Sequence, residues 1–248
     1  KGEVDISSAK NSILPIIAAT ILCPKPIIIE NTPRLEDVEV ICKLLNELNC
    51  DVNICDVNNK LTIDTKNMIE MDANEELMRK MRASFLIMGP MLARFGYCKL
   101  SLPGGCNIGS RPIDLHLKGF KQLGADVKRD HGFVEVTAKK ITGSRIYLDF
   151  PSVGATENII MASVFADGVT IIENAAEEPE IWDLAQFLNK MGAKVEGAGL
   201  GKITITGVKN LKGTTYTPIY DRIEAGTFMI AAAITNSKIK INGVNEEH

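Results

Sequence analysis

The feature that most constrains this chain is a threefold internal repeat. A related phrase ends each of three amphipathic helix patterns, as LLNELNCDV at 44–52, GFKQLGADV at 119–127 and FLNKMGAKV at 187–195. Each phrase leads into an alternating pattern that predicts a β-strand. The three predicted strands are Lys60–Asp64, Gly132–Thr137 and Lys202–Thr206.

An apolar helix rich in small residues is predicted ahead of the first strand of each repeat. These helices are Asn11–Leu22, Leu77–Phe95 and Ala155–Ala166. The unit is therefore helix, strand, helix, strand, strand, with a period of roughly 70 residues, which is longer than that of the common solenoid repeats. Three such units predict one α/β domain with pseudo-threefold symmetry, in which the apolar helices are buried and the amphipathic helices are half exposed.

The two ends of the chain do not complete this count. The segment 221–244 parallels 152–175, but the helix and two strands that should follow are absent, and Gly2–Ile6 is a strand pattern without an obvious partner. We therefore expect 11–219 to form a complete domain, and 1–10 with 220–248 to be pieces of a second, similar domain. A short terminal cap on a one-domain protein is the alternative.

The most reactive residue is expected on the loop LPGGCNIGSRPIDLH, Leu102–His116. Proline and glycine residues exclude regular structure around Cys106, and Pro112 is suited to the first turn of a helix. The neighbouring Arg111 and the helix N-terminus both favour a thiolate, and they would equally suit a phosphate or a carboxylate. The alternative is a glycine-rich turn with an incidental cysteine.

Composition excludes several classes of function. The net charge is −3 with charges interleaved and only one Trp, which does not fit a nucleic-acid-binding surface. The longest apolar stretch, Ile13–Cys23, is too short to span a bilayer and lacks the flanks of a signal peptide. The 6 cysteines form no CxxC pair, which indicates reduced thiols in a cytosol, and the 3 histidines lack metal-ligand spacing.

Five long segments carry a resemblance to one enzyme family. They are GEVDISSAKNSILP at 2–15, MRASFLIMGPMLARFG at 81–96, LPGGCNIGSRPIDLH at 102–116, FPSVGATENIIMA at 150–162 and DRIEAGTF at 221–228. These segments resemble the UDP-N-acetylglucosamine enolpyruvyl transferases (1-carboxyvinyltransferases) of bacterial peptidoglycan synthesis. The resemblance implies an inside-out α/β barrel fold, with three pseudo-symmetric repeats around buried helices in each of two domains. It also implies that most of the second domain lies outside this chain.

The resemblance implies a specific reaction. The family transfers the enolpyruvyl group of phosphoenolpyruvate to the 3-hydroxyl of UDP-N-acetylglucosamine, through a tetrahedral ketal, and releases phosphate. This is a committed cytoplasmic step of cell-wall biogenesis, on which cell shape and division depend, and it uses no cofactor or metal. Two anionic substrates must be held together, which requires cations and helix N-termini.

The resemblance assigns catalytic roles to two residues and phosphoenolpyruvate contacts to four. Cys106 matches the loop cysteine that delivers a proton to the substrate methylene and that the antibiotic fosfomycin alkylates. Lys10 would contact phosphoenolpyruvate and support the developing charge, and Asn11, Arg82 and Arg111 complete that subsite. The residues alone leave open a solvated surface lysine at position 10 and a structural salt bridge at position 82.

A larger set of residues is implied to bind the sugar nucleotide. The set is Asn11, Arg82, Arg111, Pro112, Ile113, Asp114, Leu115, Ser152, Val153 and Gly154. The amides that open the helix after Ser152 would cradle the diphosphate, although a plain helix cap at Ser152 is compatible with the same pattern. Asp221, Arg222 and Glu224 match a segment where the chain returns to the second domain, with a hinge or cleft-lining role.

Three other interpretations are open from the sequence. The sister enzyme 5-enolpyruvylshikimate-3-phosphate synthase shares the fold and the donor, but the cysteine loop and the RPIDLH segment argue against it. This chain by itself would be a non-catalytic fragment that binds the UDP-sugar, because the family's catalytic aspartate and a further arginine fall in the second domain. A structural repeat protein would leave Cys106 an ordinary thiol.

Overall fold

The architecture consists of three similar helix-and-strand units followed by one further helix and strand. The computed structural model describes residues 1–55, 57–69, 82–101, 113–130 and 132–248. The α-helices are α1 Lys10–Ala19, α2 Glu36–Glu47, α3 Met88–Phe95, α4 Asp114–Gln122, α5 Val153–Ser163, α6 Pro179–Met191 and α7 Arg222–Ile234. Short 3₁₀ helices follow α1 at Thr20–Leu22 and precede α3 at Arg82–Ile87.

The strands follow the helices in the predicted repeating order. They are β1 Gly2–Asp5, β2 Ile27–Ile29, β3 Asp51–Cys55, β4 Lys60–Asp64, β5 Tyr97–Ser101, β6 Asp126–Asp130, β7 Phe133–Thr137, β8 Arg145–Tyr147, β9 Val169–Glu173, β10 Val195–Glu196, β11 Lys202–Thr206, β12 Thr215–Tyr216 and β13 Ile239–Asn242. The repeats are α1-β2-α2-β3-β4, α3-β5-α4-β6-β7 and α5-β9-α6-β10-β11, so the predicted unit is confirmed.

Most predicted boundaries hold within a few residues. The middle strand begins at Phe133, because Gly132 has a φ of +88° and belongs to the preceding turn. The last apolar helix begins at Val153 and ends at Ser163, three residues before the predicted end. Of the predicted helix Leu77–Phe95, residues 82–95 are described, and they divide into a 3₁₀ helix and α3.

Three separate sheets surround the apolar helices, and the described strands form no closed barrel. Their strand orders are β12-β2-β4-β3, β5-β7-β6 and β10-β11-β9-β8. β8 follows the second repeat yet pairs in parallel with β9 of the third. β12 follows the third repeat yet pairs in parallel with β2 of the first. The first pairing ties the second repeat to the third, and the second pairing ties the third repeat to the first. Because α1 also contacts the 3₁₀ helix that precedes α3, the units form a ring rather than an open array.

The apolar helices form the centre of the molecule. Every residue of α1 from Ser12 to Ala19, and every residue of α5 from Ala155 to Ser163, is buried. α5 contacts α3 and α4, while α1 contacts α2 and α6. A helix that is apolar on all sides can be accommodated only in this position, whereas α2, α4 and α6 each bury one face.

The two ends of the chain pair with each other. β1 lies parallel to β13, with Gly2 opposite Ile239 and Asp5 opposite Asn242. The N-terminal strand, for which the sequence shows no obvious partner, therefore has one in the C-terminal segment. The partner lies more than 230 residues away, and no local pattern could reveal it. The domain boundaries at 11–219, with 1–10 and 220–248 apart, remain a prediction.

None of the described cysteines forms a disulfide, and most of them are buried. Five described cysteines are free thiols, of which only Cys55 is exposed. Burial raises the pKa of Cys42 and of Cys50 to about 12, so neither is a ready nucleophile. No helix among the described residues is long and apolar enough to cross a membrane.

Candidate functional site

The predicted site residues divide into those that the structure describes and those that it does not. Cys106, Arg111 and Pro112 lie outside the described residues. Arg82 is the first residue of the 3₁₀ helix Arg82–Ile87, and this helix contacts both α1 and α5. The other predicted site residues lie at the N-termini of three helices, α1, α4 and α5. The residues concerned are Lys10, Asn11, Ile113, Asp114, Leu115, Ser152, Val153 and Gly154.

The first group lies at the N-terminus of α1. Lys10 and Asn11 are exposed and open the helix, whose following turns are buried. The Lys10 Nζ lies 3.0 Å from the Asp37 Oδ2, and about half of each side chain is open to solvent. Such an exposed ion pair contributes little stability, so the ammonium group can exchange Asp37 for an anionic ligand.

The segment with the expected hinge role is bonded to this helix start. Asp221 caps α7, because one of its carboxylate oxygens accepts hydrogen bonds from the backbone N–H groups of Ile223 and Glu224. The other oxygen accepts the Lys10 N–H at 3.1 Å. Glu224 accepts two hydrogen bonds of 2.9 Å from Ser7, one from its backbone N–H and one from its hydroxyl. Hydrogen bonds therefore connect the segment near Ser7 and Lys10 directly to the segment near Asp221 and Glu224.

The second group lies at the N-terminus of α4. Ile113 precedes the first helical residue and is partly buried, and Leu115 is buried. Asp114 is exposed and forms an ion pair of 2.5 Å with Arg129 on β6. A cavity of about 580 Å³ opens beside this pair, between α4 and β6. Its lining includes Lys118 and Lys121, so it presents cations to solvent.

The third group lies at the N-terminus of α5. The Ser152 Oγ accepts a long hydrogen bond of 3.4 Å from the Ala155 N–H, so Ser152 caps the helix weakly. Val153 and Gly154 form its first turn, which contains no acidic residue. A side chain at Gly154 would meet the ring of His116 at 3.3 Å. The structure therefore brings the second and third groups together.

Sequence analysis missed two polar residues between these groups. Asn158 of α5 is completely buried, and its amide contacts the partly buried His116 of α4 at 3.0 Å. Burial lowers the pKa of His116 to about 4, so the ring is neutral at physiological pH. His116 is the last residue of the loop motif at 102–116. Asn158 lies 42 residues further on, and only the packing of α4 against α5 reveals the pair.

An ion pair with a buried carboxylate joins α6 to α7, near a second buried carboxyl group on α5. Glu180 is 2% exposed and forms a two-point ion pair with Arg222, at 3.1 and 3.2 Å. Glu157 is also buried, and burial raises its pKa well above the ordinary value, with further contributions from the charges of Glu180 and Glu178. The Glu157 carboxyl is therefore protonated in the fold at a pH where the unfolded chain has lost that proton.

Replacing Glu157 with glutamine is expected to stabilise the fold at neutral pH. Since the pKa of Glu157 is raised on folding, its contribution is complete below the unfolded pKa and is lost as pH rises towards the folded pKa. Glu157→Gln removes this loss, with a gain on the order of 1 kcal/mol at pH 7 and almost none at pH 4. Thermal unfolding at both pH values measures the effect. The exposed Glu196→Gln is the control, and an equal gain at both pH values would contradict the prediction.

A second cavity lies away from these groups. It has a volume of about 450 Å³ between α2 and β3, and its lining includes Leu35, Val38, Cys42 and Ile54. None of the predicted site residues that the structure describes lines it. Among the described residues, no cluster of His, Cys, Asp and Glu could hold a metal ion.

Comparison with known proteins gives a consistent result. The family model described as EPSP synthase (3-phosphoshikimate 1-carboxyvinyltransferase) matches residues 1–248. The chain is 64% identical over its whole length to UDP-N-acetylglucosamine 1-carboxyvinyltransferase 2 of Clostridium tetani, and covers 60% of that protein. It is 65% identical over 246 residues to UDP-N-acetylglucosamine 1-carboxyvinyltransferase 1 of Clostridium acetobutylicum, covering 99% of this chain and 59% of the relative. The resemblance drawn from the motifs is confirmed, and the chain spans about 60% of the length of these curated relatives.

Two solved structures share the fold at low identity. The enolpyruvyl transferase NikO from Streptomyces tendae superposes with a TM-score of 0.83 and 21% identity, over 94% of this chain and 55% of the other. The EPSP synthase from Acinetobacter baumannii superposes with a TM-score of 0.75 and 18% identity, over 99% of this chain and 56% of the other. The predicted fold class is confirmed.

Proposed function

Because the chain belongs to the EPSP synthase (3-phosphoshikimate 1-carboxyvinyltransferase) family, we propose that the whole protein is an enolpyruvyl transferase. It transfers the enolpyruvyl group of phosphoenolpyruvate to the 3-hydroxyl of UDP-N-acetylglucosamine and releases phosphate, as a step of peptidoglycan precursor synthesis in the cytoplasm. The observation that carries the proposal is identity of 64% and 65%, over 248 and 246 residues, to two UDP-N-acetylglucosamine 1-carboxyvinyltransferases.

The acceptor is the point at which two activities of this fold differ. The EPSP synthase of known structure is 18% identical to this chain, and such a likeness shows only a shared fold. The cysteine loop and the RPIDLH segment, which argue against the sister activity, both fall within the region of high identity to the UDP-N-acetylglucosamine enzymes. The sugar nucleotide is therefore the favoured acceptor.

The nucleotide site that we propose is formed by the starts of α4 and α5. Ile113, Asp114 and Leu115 would hold the uridine, with the apolar side chains as walls and Asp114 supplying a directional hydrogen bond. Ser152, Val153 and Gly154 would hold the diphosphate on the first-turn amides of α5. The structure supports this division because His116, directly after the first segment, lies against Gly154 of the second.

The reacting end of the site that we propose combines Lys10, Asn11, Arg82, Arg111 and Cys106. Lys10 is exposed at the start of a helix with only a weak surface ion pair, and a cation in that position is available to a phosphate or a carboxylate. Arg82 begins a 3₁₀ helix that contacts the helix of Lys10 and the helix of the nucleotide site. Cys106 would supply the proton to the methylene carbon, with Arg111 beside it.

The second domain completes the site in this proposal. Residues 11–219 would form one domain, and residues 1–10 and 220–248 would belong to the other. The hydrogen bonds that join Ser7 to Glu224 and Lys10 to Asp221 lie where the chain passes between the two. A cleft between domains would hold both anionic substrates away from water, which is the arrangement that electrostatic catalysis needs.

The acceptor test measures phosphate release by the full-length protein from phosphoenolpyruvate. Release is expected with UDP-N-acetylglucosamine and not with shikimate 3-phosphate, because only the first carries the uridine diphosphate that the starts of α4 and α5 would bind in this proposal. Cys106→Ser is expected to reduce the rate by about 100-fold or more, as loss of a general acid does. Release with shikimate 3-phosphate alone would overturn the proposal in favour of the sister activity.

A labelling experiment assigns the reactive thiol. Fosfomycin is expected to form one adduct, on the peptide that contains Cys106, and to form it faster when UDP-N-acetylglucosamine is present. The exposed Cys55 is the internal control, because iodoacetamide labels it while fosfomycin is expected to leave it unmodified. Mass spectrometry of the digested full-length protein locates the adduct. Equal fosfomycin labelling of Cys55 and Cys106 would contradict an activated thiol at position 106.

A further inference from the structure

Asn158 is held in one orientation by three hydrogen bonds. Its Oδ1 accepts the backbone N–H of Gly89 at 2.7 Å, and its Nδ2 donates to the backbone carbonyl of Phe85 at 3.0 Å. Exchanging the two ends of the amide would place a donor against the Gly89 N–H and an acceptor against the Phe85 carbonyl. Because Asn158 is completely buried, no water can relieve such a conflict, and the orientation is fixed.

The orientation of Asn158 determines the tautomer of His116. The Asn158 Nδ2 lies 3.0 Å from the His116 Nδ1 and has one hydrogen left to donate, so Nδ1 is the acceptor. A neutral imidazole with an acceptor at Nδ1 carries its proton on Nε2. Burial lowers the pKa of the ring to about 4, which keeps it in this neutral form. His116 therefore presents an N–H donor of fixed direction without a formal charge.

The Nε2 side of the ring faces the start of α5. A Cβ atom built on Gly154 would lie 3.3 Å from the His116 Cε1 and 3.6 Å from Nε2. Any side chain at position 154 would cover this edge of the ring, and glycine does not. Within the described ranges, no residue forms a hydrogen bond to Nε2. The donor thus lies near Gly154, in the first turn of a helix of 11 residues that has no acidic residue in that turn.

We propose that His116 donates a hydrogen bond from Nε2–H to the diphosphate of the sugar nucleotide, and that Asn158 is the positioning residue that fixes the tautomer. This inference rests on the proposed function, because the nucleotide is the ligand that the start of α5 would receive. Diphosphate oxygens are acceptors only, so amide and imidazole N–H groups on one side of the pocket match them. A neutral donor also avoids the free-energy cost of burying a charge when the site is empty.

A matched pair of variants separates the two ring nitrogens. In His116→Asn the side-chain amide reaches the position of Nδ1 but not that of Nε2, whereas in His116→Gln it reaches the position of Nε2. Calorimetry on the full-length protein measures the affinity for UDP and for uridine. His116→Asn is expected to weaken UDP binding by about 10-fold to 100-fold, as loss of a hydrogen bond to a charged group does, and to leave uridine binding unchanged. His116→Gln is expected to retain most of the UDP affinity.

The outcomes distinguish this inference from the proposed function. If the unmodified protein does not bind UDP-N-acetylglucosamine, the proposed function fails and this inference fails with it. If it binds, and His116→Asn has the same affinity for UDP, the inference alone is overturned. Equal loss of UDP and uridine affinity in His116→Asn would indicate a purely structural role for the ring, and would also overturn it.

A spectroscopic measurement tests the tautomer without any substitution in the pocket. Long-range ¹H–¹⁵N correlation spectra of the protein labelled at histidine report which ring nitrogen carries the proton. His116 is expected to show a protonated Nε2 and an unprotonated Nδ1 at pH 7, with a shift of the Nε2 signal when UDP binds. A proton on Nδ1, or on both nitrogens, would overturn the proposal, as would an Nε2 signal that UDP leaves unmoved.

Discussion

Replacing Asp183 with alanine is expected to lower the free energy of unfolding by about 3 kcal/mol, because one buried and two partly buried donors lose their acceptor. Asp183 of α6 is 1% exposed. Its carboxylate accepts hydrogen bonds from the Ser12 hydroxyl of α1, from the Tyr216 hydroxyl at 2.5 Å and from the backbone N–H of Ile219 at 3.1 Å. One side chain therefore holds together the first apolar helix, the last repeat and the segment that returns to the chain end.

Two opposing effects act on the pKa of the Asp183 carboxyl group. Burial raises the pKa, and the hydrogen bonds from Ser12, Tyr216 and Ile219 lower it, with burial the larger effect. Burying such a carboxylate costs free energy, and removing it costs more because its hydrogen-bond partners are left without an acceptor. The loss on substitution is therefore expected to reflect unsatisfied donors rather than the removal of a strong attraction.

The measurement for Asp183 is urea unfolding with matched controls. Asp183→Ala is expected to move the urea midpoint strongly, and Tyr216→Phe, which removes one donor and leaves two, by roughly a third as much. Asp167→Ala removes an exposed aspartate whose surface ion pair with Lys140 contributes little, and its cost is expected to stay below about 1 kcal/mol. If Asp183→Ala lowers the free energy of unfolding no more than Asp167→Ala does, the stabilising role given to Asp183 is contradicted.

Replacing Gly89 with alanine is expected to destabilise the fold by about 2–4 kcal/mol, through overpacking and a disturbed hydrogen bond. A Cβ at this position would lie 2.3 Å from the backbone oxygen of Asn158 and 2.9 Å from its Oδ1. The Asn158 backbone oxygen belongs to the buried helix α5, so it cannot rotate away from the added Cβ as a side chain could. α3 must instead shift from α5, and the Gly89 N–H to Asn158 bond must lengthen.

A second glycine provides a control of opposite sign. Gly226 lies inside α7, and a Cβ there would have nothing within 4 Å. Gly226→Ala is therefore expected to stabilise the protein by about 0.5–1 kcal/mol, because alanine favours the helix and restricts the unfolded chain. Thermal unfolding compares the two variants. If Gly89→Ala is tolerated as well as Gly226→Ala, the close approach of α3 to α5 is not a requirement of this fold.

Gly89 also connects the fold to the inference about His116. The Gly89 N–H is one of the bonds that orient the Asn158 amide, and that amide orients the imidazole. Gly89→Ala is therefore expected to disturb the ¹⁵N signals of His116, although Gly89 has no place among the proposed ligand contacts. The same spectra of Gly226→Ala should match those of the unmodified protein.

The sequence by itself determined the repeating units. Apolar residues in the first helix of each unit and alternation in the strands are local periodicities, and they follow from burial on all sides or on one side. The phrases at 44–52, 119–127 and 187–195 marked the ends of α2, α4 and α6. The capping residue Ser152 and the expected start of a helix near Pro112 placed two of the candidate ligand segments at helix N-termini.

Only the tertiary structure decided how the units join. The parallel pairing of β12 with β2 and of β8 with β9 brings a strand that follows one repeat into the sheet of another, and β12 and β8 are only two and three residues long. The partner of β1 lies at the opposite end of the chain. Such pairings depend on the shape of the assembled core, and no pattern within a window of sequence contains that information.

The same division holds at the candidate site. The family resemblance indicated Lys10, Asp114 and Ser152, and of these Ser152 also has a recognisable local setting as a helix cap. Asn158 and Asp183 have none, since each is a polar residue inside an apolar pattern whose partners come from other helices. Their roles arise when α5 and α6 are buried, because a buried polar group must find its hydrogen bonds wherever the packed fold brings a partner within reach.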